Sequence, residues 1–214
     1  MLTVHHLGVS QSDRVVWLCE ELEIPYELRC YQRDPVTLLA PPEYKALHPS
    51  KSAPVITDGD LILGESAAII EYVLAKYGEC RLTLRPEHPE FGSYLYWFHF
   101  SAGSMMPSAQ LDFAFSLLPR IEHNETLISM RGRYDLGLAQ AERRLGEVQY
   151  FAGSEFTAAD IMMLFPLSTM RCIYNPRDLS PYPNIRRYLR QIGERPAYQR
   201  AVAKADPTLQ SVLE

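Results

Sequence analysis

Convincing strand patterns in this 214-residue chain stop at Leu63, and everything after Pro89 reads as successive helices. A chain with that asymmetry folds as an α/β layer followed by an all-α part. Leu2 to Leu7 reads as a first strand. Val15, Val16, Leu18, Cys19 and Leu22 then recur at helical spacing until Ile24-Pro25 ends the helix, and Tyr26 to Tyr31 reads as a second strand. Two strands joined through a helix imply a right-handed parallel crossover. A short helical piece near Pro42 to Leu47 follows. Val55-Ile56-Thr57 and Leu61-Ile62-Leu63 then flank Asp58-Gly59, the signature of a tight antiparallel hairpin, so the four-stranded sheet is mixed. Ala67, Ile70, Val73 and Leu74 form the apolar stripe of a helix over Ser66 to Tyr77, with Lys76 in its last turn and Gly78 as its stop.

Glu79 to Pro89 is polar, contains two prolines and has no periodicity, which sets expected domains at 1–78 and 89–214. In the second, Thr157 and Asp160 are spaced as a capping box, with Phe156 and Ile161 as a hydrophobic staple, and Pro166 is expected to bend the helix they start.

Composition narrows the function classes. A share of 47% hydrophobic and 22% charged residues suits a packed globular core. The formal charge of −5, without a run of Lys or Arg, argues against nucleic acid as a partner. No basic-then-apolar leader follows Met1, and no apolar run approaches the ~20 residues of a membrane span, so a cytoplasmic location without membrane association is expected. Cys19, Cys30, Cys80 and Cys172 are far apart and make no metal-ligand spacing with histidine, which suits reduced thiols and no metal. His5 and His6, adjacent on a strand, are expected to face opposite sides, one buried and one exposed.

Three short segments carry the chemistry. Pro54 immediately precedes a strand; read by itself it is an ordinary trans strand-start proline, whereas a cis bond would turn the chain and expose the backbone of Ala53. Glu65-Ser66 opens a helix, where N–H groups and the positive dipole end suit a carboxylate; read by itself, Ser66 is an N-cap. Ser10 lies between the first strand and first helix. With Asp13 three residues on it reads equally as a capping residue, and Ser12 competes as N-cap or as the alternative hydroxyl.

Taken together in a thioredoxin-like order of elements, these segments resemble the glutathione transferases over nearly the whole chain. Leu47-His48-Pro49-Ser50-Lys51-Ser52-Ala53-Pro54-Val55 is similar to that family's turn before its cis-proline, and Gly64-Glu65-Ser66 to its γ-glutamyl site. Ala40-Pro41-Pro42-Glu43 is similar to a stretch found in a microbial and fungal subgroup. Ser50 stands where the family usually has glycine, and Ala53 where valine is commoner.

The resemblance implies a glutathione-binding N-terminal domain and a helical domain that contributes an electrophile pocket. It implies that the backbone of Ala53 pairs with the cysteinyl part of glutathione, that Glu65 and Ser66 hold the γ-glutamyl end, that Lys51 lies near the glycyl carboxylate, and that Ser10-Gln11-Ser12-Asp13-Arg14 carries a thiol-activating hydroxyl at Ser10. Glutathione would be the co-substrate. With Ser rather than Cys at position 10, a mixed-disulfide redox mechanism is disfavoured.

Tyr94, Tyr96, Phe100, Met105, Met106, Phe113 and Tyr174 are apolar residues of the helical part, of which Met105, Met106 and Tyr174 are assigned to the pocket. The implied activity is conjugation of mostly apolar electrophiles in detoxification, by an isologous homodimer. Peroxide reduction, dehalogenation or isomerisation on the same site, and a non-catalytic glutathione-binding regulator, are the alternatives.

Overall fold

The computed structural model describes residues 1–117, 124–174, 176–209 and 212–213. Strands β1 (Leu2–Leu7), β2 (Glu27–Tyr31), β3 (Val55–Asp58) and β4 (Leu61–Gly64) form one sheet in the order β2-β1-β3-β4. β1 and β2 are parallel, and the other pairs are antiparallel. Helices α1 (Asp13–Leu22), α2 (Pro42–Lys45) and α3 (Ser66–Tyr77) complete the expected β-α-β-α-β-β-α unit. Gly59, at φ 60°, turns the β3–β4 hairpin, a conformation open to glycine at no steric cost.

His5 and His6 do point to opposite faces, but both are buried. The expectation of one exposed histidine assumed a half-solvated sheet, whereas both faces here are covered. On one face His5 bonds Tyr31 Oη at 2.9 Å and Thr57 Oγ1 at 3.2 Å, and Tyr44 of α2 packs on Leu7 and Val55. Burial, aided by Arg29, holds His5 below the ordinary imidazole value and keeps it neutral.

The chain divides into two compact units, residues 1–83 with 192–211 and residues 84–191 with 212–214. This differs at the end of the chain from the expected 1–78 and 89–214, because helix α10 (Pro196–Ala205) belongs with the sheet unit. Complementary charge on two helices fixes it there. Arg195 grips Glu21 through two bonds of 2.7 Å, while Arg200 Nε and Lys204 Nζ reach Glu20 at 3.0 and 2.5 Å. Tyr26 Oη also donates to Glu20, at 2.6 Å, and Tyr198 sets its ring edge-on to Trp17.

The second unit holds α4 (Phe91–Phe100), α5 (Met106–Ser116), α6 (Glu125–Arg131), α7 (Arg133–Glu147), α8 (Ala158–Leu167) and α9 (Pro183–Gly193), with π turns at Ser101–Met105 and Met170–Tyr174. The capping box forms as expected: Thr157 Oγ1 accepts the Ala159 N–H at 3.3 Å, and Asp160 takes the Thr157 N–H at 2.9 Å. Pro166 lies inside α8 and cannot donate to the carbonyl four residues back, that of Met162. Ser101 fills the vacancy, its hydroxyl donating to Met162 O at 2.5 Å.

Glu20 tests the α10 anchorage. Its burial would raise its pKa, but hydrogen bonds from Lys204, Tyr26 and Arg200 outweigh burial and lower it. The ionised form is therefore favoured by folding; the gain is present above the unfolded value of about 4.3 and is lost as pH falls through the lower folded value. Glu20→Gln should cost about 1–3 kcal/mol by denaturant unfolding. Hydrogen exchange should show the loss of protection concentrated in α10.

Candidate functional site

Strand register gathers the three segments singled out in the sequence. His5 pairs with Val55, and Val55 with Gly64, so the end of β1, the start of β3 and the end of β4 share one end of the sheet. The Ser10 loop leaves that end, Ala53-Pro54 enters it, and Glu65-Ser66 begins α3 from it.

The Ala53–Pro54 peptide is cis, in contrast to the trans bond favoured when the proline is read by itself. Its loop is shaped by a local network: His48 Nδ1 accepts the Ser50 N–H at 3.2 Å and lies 2.8 Å from Ser50 Oγ, and the Ser52 hydroxyl donates to Ser50 Oγ at 3.1 Å. A turn closed by Lys51 N–H to His48 O at 3.0 Å leaves exposed Lys51, at φ 53°, as the left-handed residue. Position 50 therefore does not require the conformational freedom of glycine. A Cβ at Gly64 would lie 3.0 Å from the His48 ring, which would have to give by a few tenths of an ångström.

Glu65 is exposed and holds φ 70° and ψ 120°, a conformation sterically disfavoured for any residue with a Cβ. It occupies the N-cap position without a side-chain cap bond, and Ser66, largely buried, is the first helical residue instead of the cap expected of it. The first-turn N–H groups of α3 have no intrahelical partner, and no acidic side chain stands in that turn, so the helix start favours an anion.

The Ser10 loop is held from several sides. Val9 adopts φ 52°, unusual for a β-branched residue. Its N–H donates to Asp206 Oδ1 at 3.2 Å, and Arg33 donates to Gly8 O at 2.9 Å and to Val9 O at 3.4 Å. Neither serine caps α1. Ser12 occupies the N-cap position, but its hydroxyl turns inward to His6 Nδ1 at 2.9 Å and Ser10 Oγ at 2.8 Å. Ser12 is fully buried, while Ser10 keeps 5% of its surface open. Burial pushes neighbouring Asp13 up to about 7 despite Arg14 beside it.

His6, Arg33, His48 and Asp206 were not found by sequence reasoning. Asp206 is 197 residues from the backbone N–H it accepts, and no local spacing could have announced it.

In the helical unit, Met105 and Met106 are interior residues; the sulfur of Met105 lies where a Cβ on Gly137 would come within 2.9 Å of it. They pack the core, in contrast to the pocket lining expected. Tyr174 is partly open and meets Phe113 edge-on at 6.2 Å between ring centroids. All four cysteines are free. Among the described residues, no helix is long and apolar enough to cross a membrane.

A mixed sheet in this order, with a cis-proline before β3, a helix opening after β4 and a helical unit later in the chain, defines a thioredoxin-like protein with an appended all-helical part. Residues 10–76 match the family model of the glutathione S-transferase N-terminal domain, and residues 119–191 that of the C-terminal domain. Glutathione S-transferase 3 of Schizosaccharomyces pombe is 35% identical over 96% of this chain and 88% of its own length. Glutathione S-transferase 1 of Saccharomyces cerevisiae is 25% identical over 96% and 95%. Among solved structures, a glutathione S-transferase from Actinobacillus pleuropneumoniae aligns with a TM-score of 0.88 at 35% identity, covering 100% of this chain and 99% of that one. The chain belongs to the glutathione S-transferase family, and its activity is that of a glutathione transferase.

The strain at Glu65 has a measurable consequence. Glu65→Gly should stabilise the fold by about 1 kcal/mol, because glycine adopts this backbone freely, even after its own greater unfolded-state entropy is counted. Calorimetry should register a rise in Tm of about 2–4 °C.

Proposed function

We propose that the enzyme binds glutathione at the sheet end where the Ser10, Ala53-Pro54 and Glu65-Ser66 segments meet, and that Ser10 activates the thiol. The carrying observation is the His5–Val55–Gly64 register, which brings a buried hydroxyl, the backbone of Ala53 and an anion-ready helix start to one place. Solved relatives with bound ligand support the choice: a glutathione transferase from Phanerochaete chrysosporium was solved with oxidized glutathione and shares this fold at 21% identity and a TM-score of 0.74.

In this reading the α3 N–H groups and the Ser66 hydroxyl take the γ-glutamyl carboxylate, Glu65 attracts its ammonium, Ala53 pairs through its backbone with the cysteinyl unit, and Lys51 serves the glycyl carboxylate. A free thiol has a pKa of about 8.5 and is mostly protonated at neutral pH. The Ser10 hydroxyl, beside the start of α1, donates to the sulfur and favours the thiolate. The thiol proton passes to water. The thiolate then forms a carbon–sulfur bond to an electrophile, and the displaced group leaves or an activated double bond takes up a proton. The electrophiles are mostly apolar, with Tyr174 the ring available to them in the helical unit. The enzyme works in the cytoplasm as an isologous homodimer.

Ser10→Ala should raise the pKa of the bound thiol and slow turnover at neutral pH with little change in Tm, read as thiolate absorbance against pH and kcat/KM for a generic electrophile. An unshifted titration would remove Ser10 from catalysis, and a shift confined to Ser12→Ala would transfer the role. Combined Glu65→Ala and Ser66→Ala should abolish retention on immobilised glutathione while the protein stays folded. Turnover of an organic peroxide but of no electrophile would reassign the reaction.

Sedimentation at micromolar concentration should give twice the chain mass; a monomer there would contradict the dimer.

A further inference from the structure

Ser10 does not stand alone behind the loop. Ser10 Oγ, Ser12 Oγ, the His6 ring and the Asp206 carboxylate follow one another at 2.8, 2.9 and 3.0 Å, all within the sheet unit. The last three resemble a hydrolase triad in composition, but Ser12 is fully buried and no substrate carbon reaches it. The arrangement orients a proton instead.

A hydroxyl offers one proton and two lone pairs. One lone pair of Ser12 is taken by the Leu7 N–H at 3.1 Å, and the Leu7 carbonyl, at 3.4 Å, is its most distant partner. Ser12 can donate to that carbonyl, but His6 and Ser10 are the nearer partners, and when either accepts the Ser12 proton the other donates into the remaining lone pair. At the far end, Asp206 Oδ2 faces His6 Nε2 while Oδ1 accepts the Val9 N–H, and an ionised carboxylate only accepts. The Nε2 contact is an ion-pair approach of 3.0 Å without hydrogen-bond alignment, and the carboxylate charge at that distance favours a proton on Nε2.

When His6 is doubly protonated, Nδ1–H donates to Ser12 and Ser12 donates to Ser10. Ser10 also accepts the Ser12 N–H at 3.3 Å, so both its lone pairs are filled and its own proton points away from the chain. When His6 is neutral, bare Nδ1 takes the Ser12 proton, and Ser10 must turn its own proton inward.

We propose that Asp206, His6 and Ser12 are positioning residues that set which way the Ser10 hydroxyl donates, with the charge on His6 as the switch. The inference rests on the assignment of Ser10 to thiol activation. The charged and titratable groups around His6 are Asp206 after α10, Asp13 and Arg14 at the start of α1, and its register partner Cys30 on β2. Asp13 is pushed to about 7 by burial, so a change seen near that pH must be assigned by reading the protonation state at His6 itself.

Imidazole ¹⁵N shifts of the wild-type enzyme read it directly. Neutral His6 should carry its proton on Nε2; a proton on Nδ1 would overturn the chain. Asp206→Asn is the informative variant. Its carbonyl keeps the Val9 N–H, its amide N–H then faces Nε2 in place of the carboxylate charge, and neutral His6 shifts to the Nδ1–H form, which aims the Ser10 proton outward without any charge. In wild type, the bound thiol pKa should sit about one unit higher when His6 is neutral than when it is charged, a tenfold loss of thiolate at fixed pH. In Asp206→Asn the thiol should titrate as a single step at the lower value. Superposable curves for the two enzymes would overturn the proposal. A thiol curve of Asp206→Asn left unmoved by adding Ser10→Ala would instead strike out the Ser10 role, with the transferase activity and the His6 proton position standing as separate results.

Discussion

The pairing of His5 with Val55 and of Val55 with Gly64 is the constraint on which the rest of this molecule depends. Because side chains alternate on a strand, a slip of one residue would turn His6 from Ser12 toward the opposite face and carry Val55 away from Leu7 and Tyr44. The same slip would move the Ala53-Pro54 turn along the sheet relative to the Ser10 loop and the start of α3. Register therefore links burial in the sheet with the placement of three loops, and the chemistry inherits its geometry from hydrophobic packing. The hairpin turn at Gly59 pins that register locally, as two-residue turns do.

Much of this was legible in the sequence, where one interaction range dominates. The α3 bounds, the hairpin and the Thr157–Asp160 box follow from residues a few positions apart, whose periodicity or capping chemistry has few alternatives. The strand and helix ends that carry the Ser10, Ala53-Pro54 and Glu65-Ser66 segments were legible for the same reason. What failed had a longer range. Two buried histidines require knowing that both faces of the sheet are covered, and α10 reads like any amphipathic helix until Arg195, Arg200 and Lys204 meet Glu20 and Glu21. Met105 and Met106 were misassigned because composition does not separate a wall from an interior.

The site also shows how polar groups are used under burial. Ser101, Asp160 and Ser12 each sit where solvent is excluded, and each is committed to partners that a fold of this shape would otherwise leave unmatched. Ser101 answers a carbonyl freed by Pro166, and Asp160 answers the Phe151 and Thr157 N–H groups. Glu65 is the opposite case, an exposed residue in a disfavoured conformation that its neighbours impose. Strain of that kind persists where surrounding structure over-determines it, and it stands at the mouth of the proposed ligand site.

The distance in sequence between Val9 and Asp206 bears on how the protein is made. The loop that carries Ser10 leaves the ribosome well before one of the side chains that hold it, which is synthesised 197 residues later. At about 5–20 residues per second, a growing chain spends ten seconds or more with its sheet residues emerged and that clamp missing. The sheet unit cannot reach its finished form during that interval, since α10 is part of it. Completion of the Ser10 loop is thereby deferred until α10 and Asp206 have emerged, and the loop goes without that clamp until then.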